Sequence, residues 1–116
     1  MTGNYYVFES WQGETFNRLL RWKNPDMTPV DISGMTARMQ LRVSAKSATA
    51  ALELTEANGG ITLDGVEGTI RLYIPAETMS ALQPIVYVYD LELEDQMGNA
   101  ERLIWGKFRV RPEVTR

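Results

Sequence analysis

The sequence contains neither cysteine nor histidine. Without cysteine there can be no disulfides and no thiolate zinc sites, and without histidine the side chain most used for proton transfer near neutral pH is missing. Cys/His and Ser/His nucleophile pairs are excluded for the same reason. We therefore expect a protein that is not an enzyme and that uses no metal and no cofactor.

Long apolar runs and basic runs are absent as well. No stretch approaches the roughly 20 apolar residues that cross a bilayer, and the N-terminal residues lack the basic start and apolar core of a signal peptide. The formal net charge is -3 at pH 7, so the long-range field repels phosphate. We expect synthesis in a cytoplasm, no membrane partner and no nucleic-acid partner.

The chain has the size and composition of one soluble folded domain. It has 116 residues, of which 44% are hydrophobic and 23% are charged. A chain of this length can bury one core, and this composition is far from that of disordered proteins. We expect a single domain over residues 1-116.

Alternation of apolar and polar residues dominates the sequence. Every second residue from Met35 to Val43 is apolar and the residues between are polar, which predicts a half-buried strand. Turn residues separate similar segments along the chain, and residues 76–84 (AETMSALQP) are the only helical candidate. The pattern predicts an all-β protein, a sandwich or a small barrel, with seven or eight strands and one short helical connector.

The last predicted hairpin spans Ile85 to Arg111 and turns at Met97 and Gly98. This register pairs Tyr89 with Gly106 on the core face, where the tyrosine ring can cover the bare glycine backbone. The opposite face then carries an apolar strip and two of its charged neighbours: Val86, Val88, Leu103, Trp105, Lys107, Arg109. Apolar residues with a charged rim predict a protein interface; alternatively, the lysine and arginine stems or a loop cover the strip within the monomer.

The aromatic segment that contains Tyr5, Tyr6 and Phe8 is the second interface candidate. It begins close to the N-terminus, so it forms either an edge strand docked on its own domain or an arm that pairs with a neighbouring subunit. Both possibilities make these three residues candidates for subunit contacts.

Three further patterns concern possible binding sites. Trp11, Trp22 and Tyr73 are candidates for stacking on sugar rings, which would make the protein a glycan-binding module. The acidic residues from Glu92 to Asp95 fit a solvated strand end better than a cation site or a glycosidase pair. The glycine-rich stretch at residues 57–68 lacks the lysine of a phosphate-binding loop and predicts a hairpin.

Two long stretches, Gly13 to Arg42 and Tyr87 to Arg116, resemble small virion proteins of tailed bacteriophages and prophages. The resemblance is to the N-terminal β-sandwich domain of phage upper baseplate proteins. It depends on the order and spacing of four motifs: Gly13-x-Thr15-Phe16, Pro29-x-Asp31-x-Ser33-Gly34, Thr36 to Gln40, Tyr89 to Leu93.

The resemblance implies an immunoglobulin-like antiparallel β-sandwich that serves as a structural part of the virion, at the tail tip, baseplate or fibre attachment. It implies other virion proteins and copies of the same chain as partners. Upper baseplate proteins continue into fibre-like regions, whereas this sequence stops at Arg116. We therefore expect an adaptor or decoration subunit, and recognition of a host glycan is the alternative.

Overall fold

The structure is a computed structural model, and it describes residues 3–115. Over these residues the chain forms strands and one short helix: β1 (Asn4–Tyr5), β2 (Phe8–Trp11), β3 (Phe16–Arg21), β4 (Thr36–Arg42), β5 (Leu52–Thr55), β6 (Ile61–Asp64), β7 (Thr69–Ile74), α1 (Ala76–Ala81), β8 (Val86–Glu94), β9 (Ala100–Arg111). No helix within residues 3–115 is both long and apolar enough to cross a membrane.

The strands form two sheets that pack face to face. Sheet A has the order β1-β9-β8-β4-β5, with β2 also paired to β9, and sheet B has the order β3-β7-β6. Two packed sheets of this order form an immunoglobulin-like sandwich, which confirms the predicted fold class. Residues 3–115 form nine strands instead of the seven or eight predicted. The N-terminal edge differs from the expected antiparallel pattern, because β1 and β2 pair with β9 in parallel. They are separate strands because Tyr6 and Val7 interrupt the ladder.

Inward-facing residues of both sheets form one core. Ile70 and Leu72 of sheet B and Met39 and Leu91 of sheet A are fully buried, as the two-residue alternation predicts. An aromatic cluster closes the core beside the N-terminal strand. Its members, whose ring centroids lie 4.9–5.9 Å from a neighbour in the cluster, are Phe8, Phe16, Tyr89, Phe108.

The predicted helical connector joins sheet B to sheet A. Helix α1 buries Met79, and β8 begins five residues after α1 ends. The Tyr87 hydroxyl accepts a hydrogen bond from the Gln83 N–H at 3.0 Å and donates one to the Gln83 carbonyl at 3.2 Å. This is a tyrosine corner, a device of immunoglobulin-like sandwiches that secures the entry to this strand.

The β8–β9 hairpin has the predicted pairing over most of its length, including Tyr89 opposite Gly106. A bulge lies beside Leu91, where Leu91 pairs with Ile104 but Glu92 pairs with Arg102. The extra residue is Leu103, which turns into the core and is only 7% exposed. The prediction that Leu103 lies on the outer strip is therefore wrong.

Candidate protein interface on sheet A

The outer face of sheet A contains a groove of about 540 Å³. Cross-strand neighbours place its side chains in rows. One row runs from Arg42 through Val88 to Lys107, and the next runs through Asp90 to Trp105 and Tyr5. The other residues that line the groove come from β4, the β4–β5 loop, β8 and β9: Arg38, Gln40, Ala45, Tyr89, Glu92, Arg102, Gly106.

Two cations of the groove have acidic partners within it. The Arg102 Nε atom lies 3.3 Å from a carboxylate oxygen of Asp90, and the Arg38 guanidinium lies 3.9 Å from Glu92. These side chains are well exposed, so water and salt screen both pairs, and each pair stabilises the fold by at most about 1 kcal/mol.

The other two cations, Arg42 and Lys107, have no carboxylate partner among residues 3–115. The Arg42 guanidinium is held in place by hydrogen bonds to the Ser47 carbonyl at 2.9 Å and to the Gln40 side chain at 2.8 Å. Arg42 and Lys107 lie on either side of Val88, one on each neighbouring strand. The centre of the groove is therefore an apolar side chain between two cations that no described acid neutralises.

An aromatic pair forms one wall of the groove. Trp105 is 44% exposed and Tyr5 is 53% exposed. Their ring centroids lie 4.9 Å apart at an interplanar angle of 73°, an edge-to-face contact. The two contacting rings together form one exposed apolar surface.

The N-terminal strand that supplies Tyr5 is docked on its own domain. The Tyr6 N–H donates to the Trp105 carbonyl at 2.9 Å, and the Tyr89 hydroxyl donates to the Tyr6 carbonyl at 2.8 Å. Burial, together with the nearby Tyr5 and Tyr6, raises the pKa of Tyr89 well above its usual range, so the hydroxyl stays protonated as this bond requires. Of the two sequence interpretations, the docked edge strand is the one found in this structure.

Gly106 makes this docking possible. Its φ is 152°, and a Cβ atom there would lie 2.3 Å from the Tyr6 carbonyl oxygen. The sequence assigned the glycine to packing under Tyr89, and Tyr89 is indeed its cross-strand neighbour. The tighter constraint is the backbone of the N-terminal strand, which passes directly against it.

The predicted interface residues differ in how exposed they are in the structure. Tyr5, Tyr6, Val86 and Trp105 are exposed, as are Lys107 and Arg109. Val88 is half-buried, and its cross-strand neighbours are Arg42 and Lys107. The alternative, that the Lys107 and Arg109 stems or a loop cover the strip within the monomer, stays a prediction.

The prediction that Phe8 contacts a neighbouring subunit is wrong. It is 2% exposed and packs against Phe16, Tyr89 and Phe108. The first residues of an edge strand can point inward as well as outward, and here the period-2 pattern turns Phe8 and Ser10 into the core. Phe8 holds the strand in place but offers no surface to a partner.

Sequence reasoning missed the contribution of β4 to this surface. Arg38, Gln40 and Arg42 were identified as the polar face of a strand, but β4 and β8 lie far apart in the chain and become neighbours only in the sheet. A run of polar residues on one face was the available signal, and it is the same for any solvated strand.

The three glycan candidates do not form one site. Trp11 lies on the outer face of sheet A, with the Arg111 guanidinium 5.7 Å from its ring centroid, while Tyr73 lies on the outer face of sheet B. Trp22 is half-buried and packs against the core. These aromatics therefore cannot share a single sugar.

No protein-family model matches the chain, and no curated protein matches it at a significant level.

Proposed function

We propose that the chain is a non-enzymatic structural protein of a tailed-phage particle, at the tail tip, baseplate or fibre attachment, and that it acts through protein contacts. The observation that carries the contact mechanism is the outer face of sheet A, where exposed aromatic side chains lie beside Arg42 and Lys107 in one groove. Exposed aromatic and arginine side chains are enriched at protein interfaces. The assignment to a phage particle is supported by the ordered motifs between Gly13 and Leu93.

Two further features favour a contact surface. The groove is a shallow feature of a sheet face, and its floor belongs to strands β4, β8 and β9, which are rigidly paired. A rigid surface loses little conformational entropy when a partner binds. A sandwich of this kind can act as a building block whose outer face meets its neighbours.

The experiment is to purify particles from the bacterial strain that encodes the chain and to identify their proteins by mass spectrometry. The proposal predicts that the chain is present at a fixed ratio to the tail proteins. Its absence from intact particles would contradict the assignment to the virion.

The contact surface is tested with Trp105→Asp and a matched control, Tyr73→Asp, on the outer face of sheet B. Trp105→Asp should reduce incorporation into particles about tenfold or more, because it places a charge where an aromatic ring is buried by the partner. Tyr73→Asp should be incorporated like the wild type. Equal incorporation of both variants would mean that sheet A is not the contact surface.

A host-glycan-binding module is the second candidate. It is favoured by exposed Trp105 in a groove that also offers the hydrogen-bonding side chains of Gln40, Asp90 and Arg102. The measurement is tryptophan fluorescence against a glycan panel, with Trp105→Phe as the variant that removes the reporting ring. A spectral change that saturates with one saccharide would support this function, and an unchanged spectrum across the panel would argue against it.

A further inference from the structure

The charges of the molecule are distributed unevenly between the sheet A groove and one end of the sandwich. The groove has four basic and two acidic lining side chains, although the whole chain has a net charge of -3. The loops β3–β4, β6–β7 and β8–β9 meet at one end, as shown by the Ile32 N–H bond to the Gly65 carbonyl and the contact of Gly34 with Gln96. These loops contain one lysine, Lys23, and four acidic residues: Asp26, Asp31, Glu67, Asp95. The strand ends that lead into them add Arg21, Asp64 and Glu94.

The turn between β8 and β9 is the most distinctive part of that acidic end. Met97 is 87% exposed at its tip, and Glu94 and Asp95 precede it. The turn is held by one Asp95 carboxylate oxygen, which accepts the N–H groups of Met97 and Asn99 at 2.9 Å each. These bonds, led by the one from Asn99, lower the pKa of Asp95 and so keep its carboxylate charged. The tip is a hydrogen-bonded turn that exposes one apolar side chain with negative charges next to it.

The groove has the complementary arrangement. Its centre is Val88 between Arg42 and Lys107, and Trp105 stands beside them. An apolar side chain can be covered by Val88 and Trp105 while neighbouring carboxylates meet the two cations that lack a described acidic partner. Like charges repel and opposite charges attract at an interface, so an acidic apolar tip fits this groove better than a basic one.

We propose that the β8–β9 turn of one copy docks into the sheet A groove of a second copy. The tip and the groove are different surfaces of the same chain, so the contact is heterologous and runs head to tail. Such contacts close into a ring or continue as a row, as a repeated particle component requires. This inference extends the proposed function by naming the partner of the sheet A surface as another copy of the chain.

The contact is weak when only two copies meet. A stable interface buries about 800 Å² on each partner, more than a single hairpin turn provides. Repetition in a ring or in a particle supplies the remaining stability through effective concentration. Self-association of the isolated protein should therefore be seen at high concentration and low salt, and should decrease as salt screens the charges.

The test uses sedimentation velocity of the full chain at about 0.5 mM in low salt, a concentration chosen to exceed a weak dissociation constant. The wild type should associate beyond the monomer. The groove variant, Arg42→Gln with Lys107→Glu, and the tip variant, Glu94→Gln with Met97→Ser, should each have a dissociation constant about tenfold higher. The matched control, Arg71→Glu on the outer face of sheet B, should associate like the wild type.

Mixing the two variants distinguishes this contact from a symmetric one. The groove variant keeps an intact tip and the tip variant keeps an intact groove, so a 1:1 mixture should form dimers that do not grow further. A mixture that stays monomeric while the wild type associates would overturn the proposal, and so would a monomeric wild type. Circular dichroism and melting temperature show whether each variant is folded. If the groove variant is not folded, Lys107→Glu alone, at an exposed position, replaces it.

Particle incorporation separates this inference from the proposed function. If the tip variant enters particles normally and the groove variant does not, the groove binds a different protein, which overturns the inference and leaves the proposed function in place. If both variants fail to enter particles, and the mixture forms the expected dimers, the inference is supported. Self-association of a chain that is absent from particles would support the head-to-tail contact and contradict the phage assignment.

Discussion

The two outer faces of the sandwich differ in how their exposed aromatic and basic side chains are arranged. On sheet B, the Arg71 guanidinium is bonded to the Asn17 side chain at 2.8 Å, and Leu19 and Tyr73 are 37% and 39% exposed. On sheet A, the exposed Trp105 and Tyr5 rings contact each other edge to face and form one wall of a groove that also contains Arg42 and Lys107.

The origin of the difference is the number of strands behind each face. Sheet A gains β1 and β2 through the N-terminal segment, which adds Tyr5 to the groove, while sheet B consists of β3, β7 and β6 over the described residues. The broader face has room for a groove with defined walls. The added N-terminal segment therefore supplies both a wall of the groove, through Tyr5, and part of the core, through Phe8.

Among substitutions that affect the sheet A surface, Phe8→Ala should cause the largest loss in the free energy of unfolding. Phe8 is the core anchor of the N-terminal strand, and removing a buried phenylalanine typically costs about 3–5 kcal/mol. We expect that loss in the free energy of unfolding measured in urea, together with release of the strand and of Tyr5. Tyr73→Ala, on the outer face of sheet B, should cost no more than about 1 kcal/mol. Similar losses for the two variants would contradict the role of Phe8 as anchor.

Gly106→Ala should have the next largest effect. A Cβ atom at this position would lie 2.3 Å from the Tyr6 carbonyl oxygen, in a backbone conformation that favours glycine. We expect a loss of about 2–3 kcal/mol in urea unfolding, with increased proteolysis of the N-terminal segment.

Gly59→Ala is the control for Gly106→Ala. Gly59 also has a positive φ, but no atom lies within 4 Å of the added Cβ. Its cost should be about 1 kcal/mol, the effect of conformation alone. Equal losses at both positions would mean that the close approach of Tyr6 is unimportant.

Tyr89→Phe tests the hydrogen bond that secures the N-terminal strand, with a smaller expected effect. It removes the donor to the Tyr6 carbonyl and should cost about 1 kcal/mol at neutral pH. The folded state raises the pKa of Tyr89, so above about pH 10 the unfolded chain releases this proton while the folded chain keeps it. The wild type should therefore lose stability as pH rises through that range, and the variant should lose less, measured as melting temperature from pH 8 to 11. Parallel pH profiles would contradict this assignment.

Asp90→Asn should have the smallest effect on stability. Its pair with Arg102 is well exposed, so we expect a change below about 1 kcal/mol that disappears in high salt. Thermal melts at low and high salt measure it, with Arg71→Ala as the control on sheet B. A loss much larger than that of the control would mean that the charges of sheet A serve the fold itself and not a partner.

The sequence predicted much of this site from one hairpin. The register of β8 and β9 placed Val86, Trp105, Lys107 and Arg109 on the outer face because side chains alternate strictly along a paired strand. Leu103 broke the pattern, because a bulge adds one residue to one strand only. Nothing in the local composition marks that position, since the residues beside it fit a regular strand equally well.

By itself, the sequence determined the all-β class, most strand positions, the short connector and the residues of β4, β7 and β8 that enter the core. Those features follow from two-residue periodicity and turn chemistry, which act between neighbours in the chain. Only the tertiary structure decided that β4 lies beside β8, that the N-terminal strand runs parallel to β9, and that Phe8 points inward. These depend on contacts between residues far apart in sequence, where packing against the whole core selects among strand orders that local patterns allow equally.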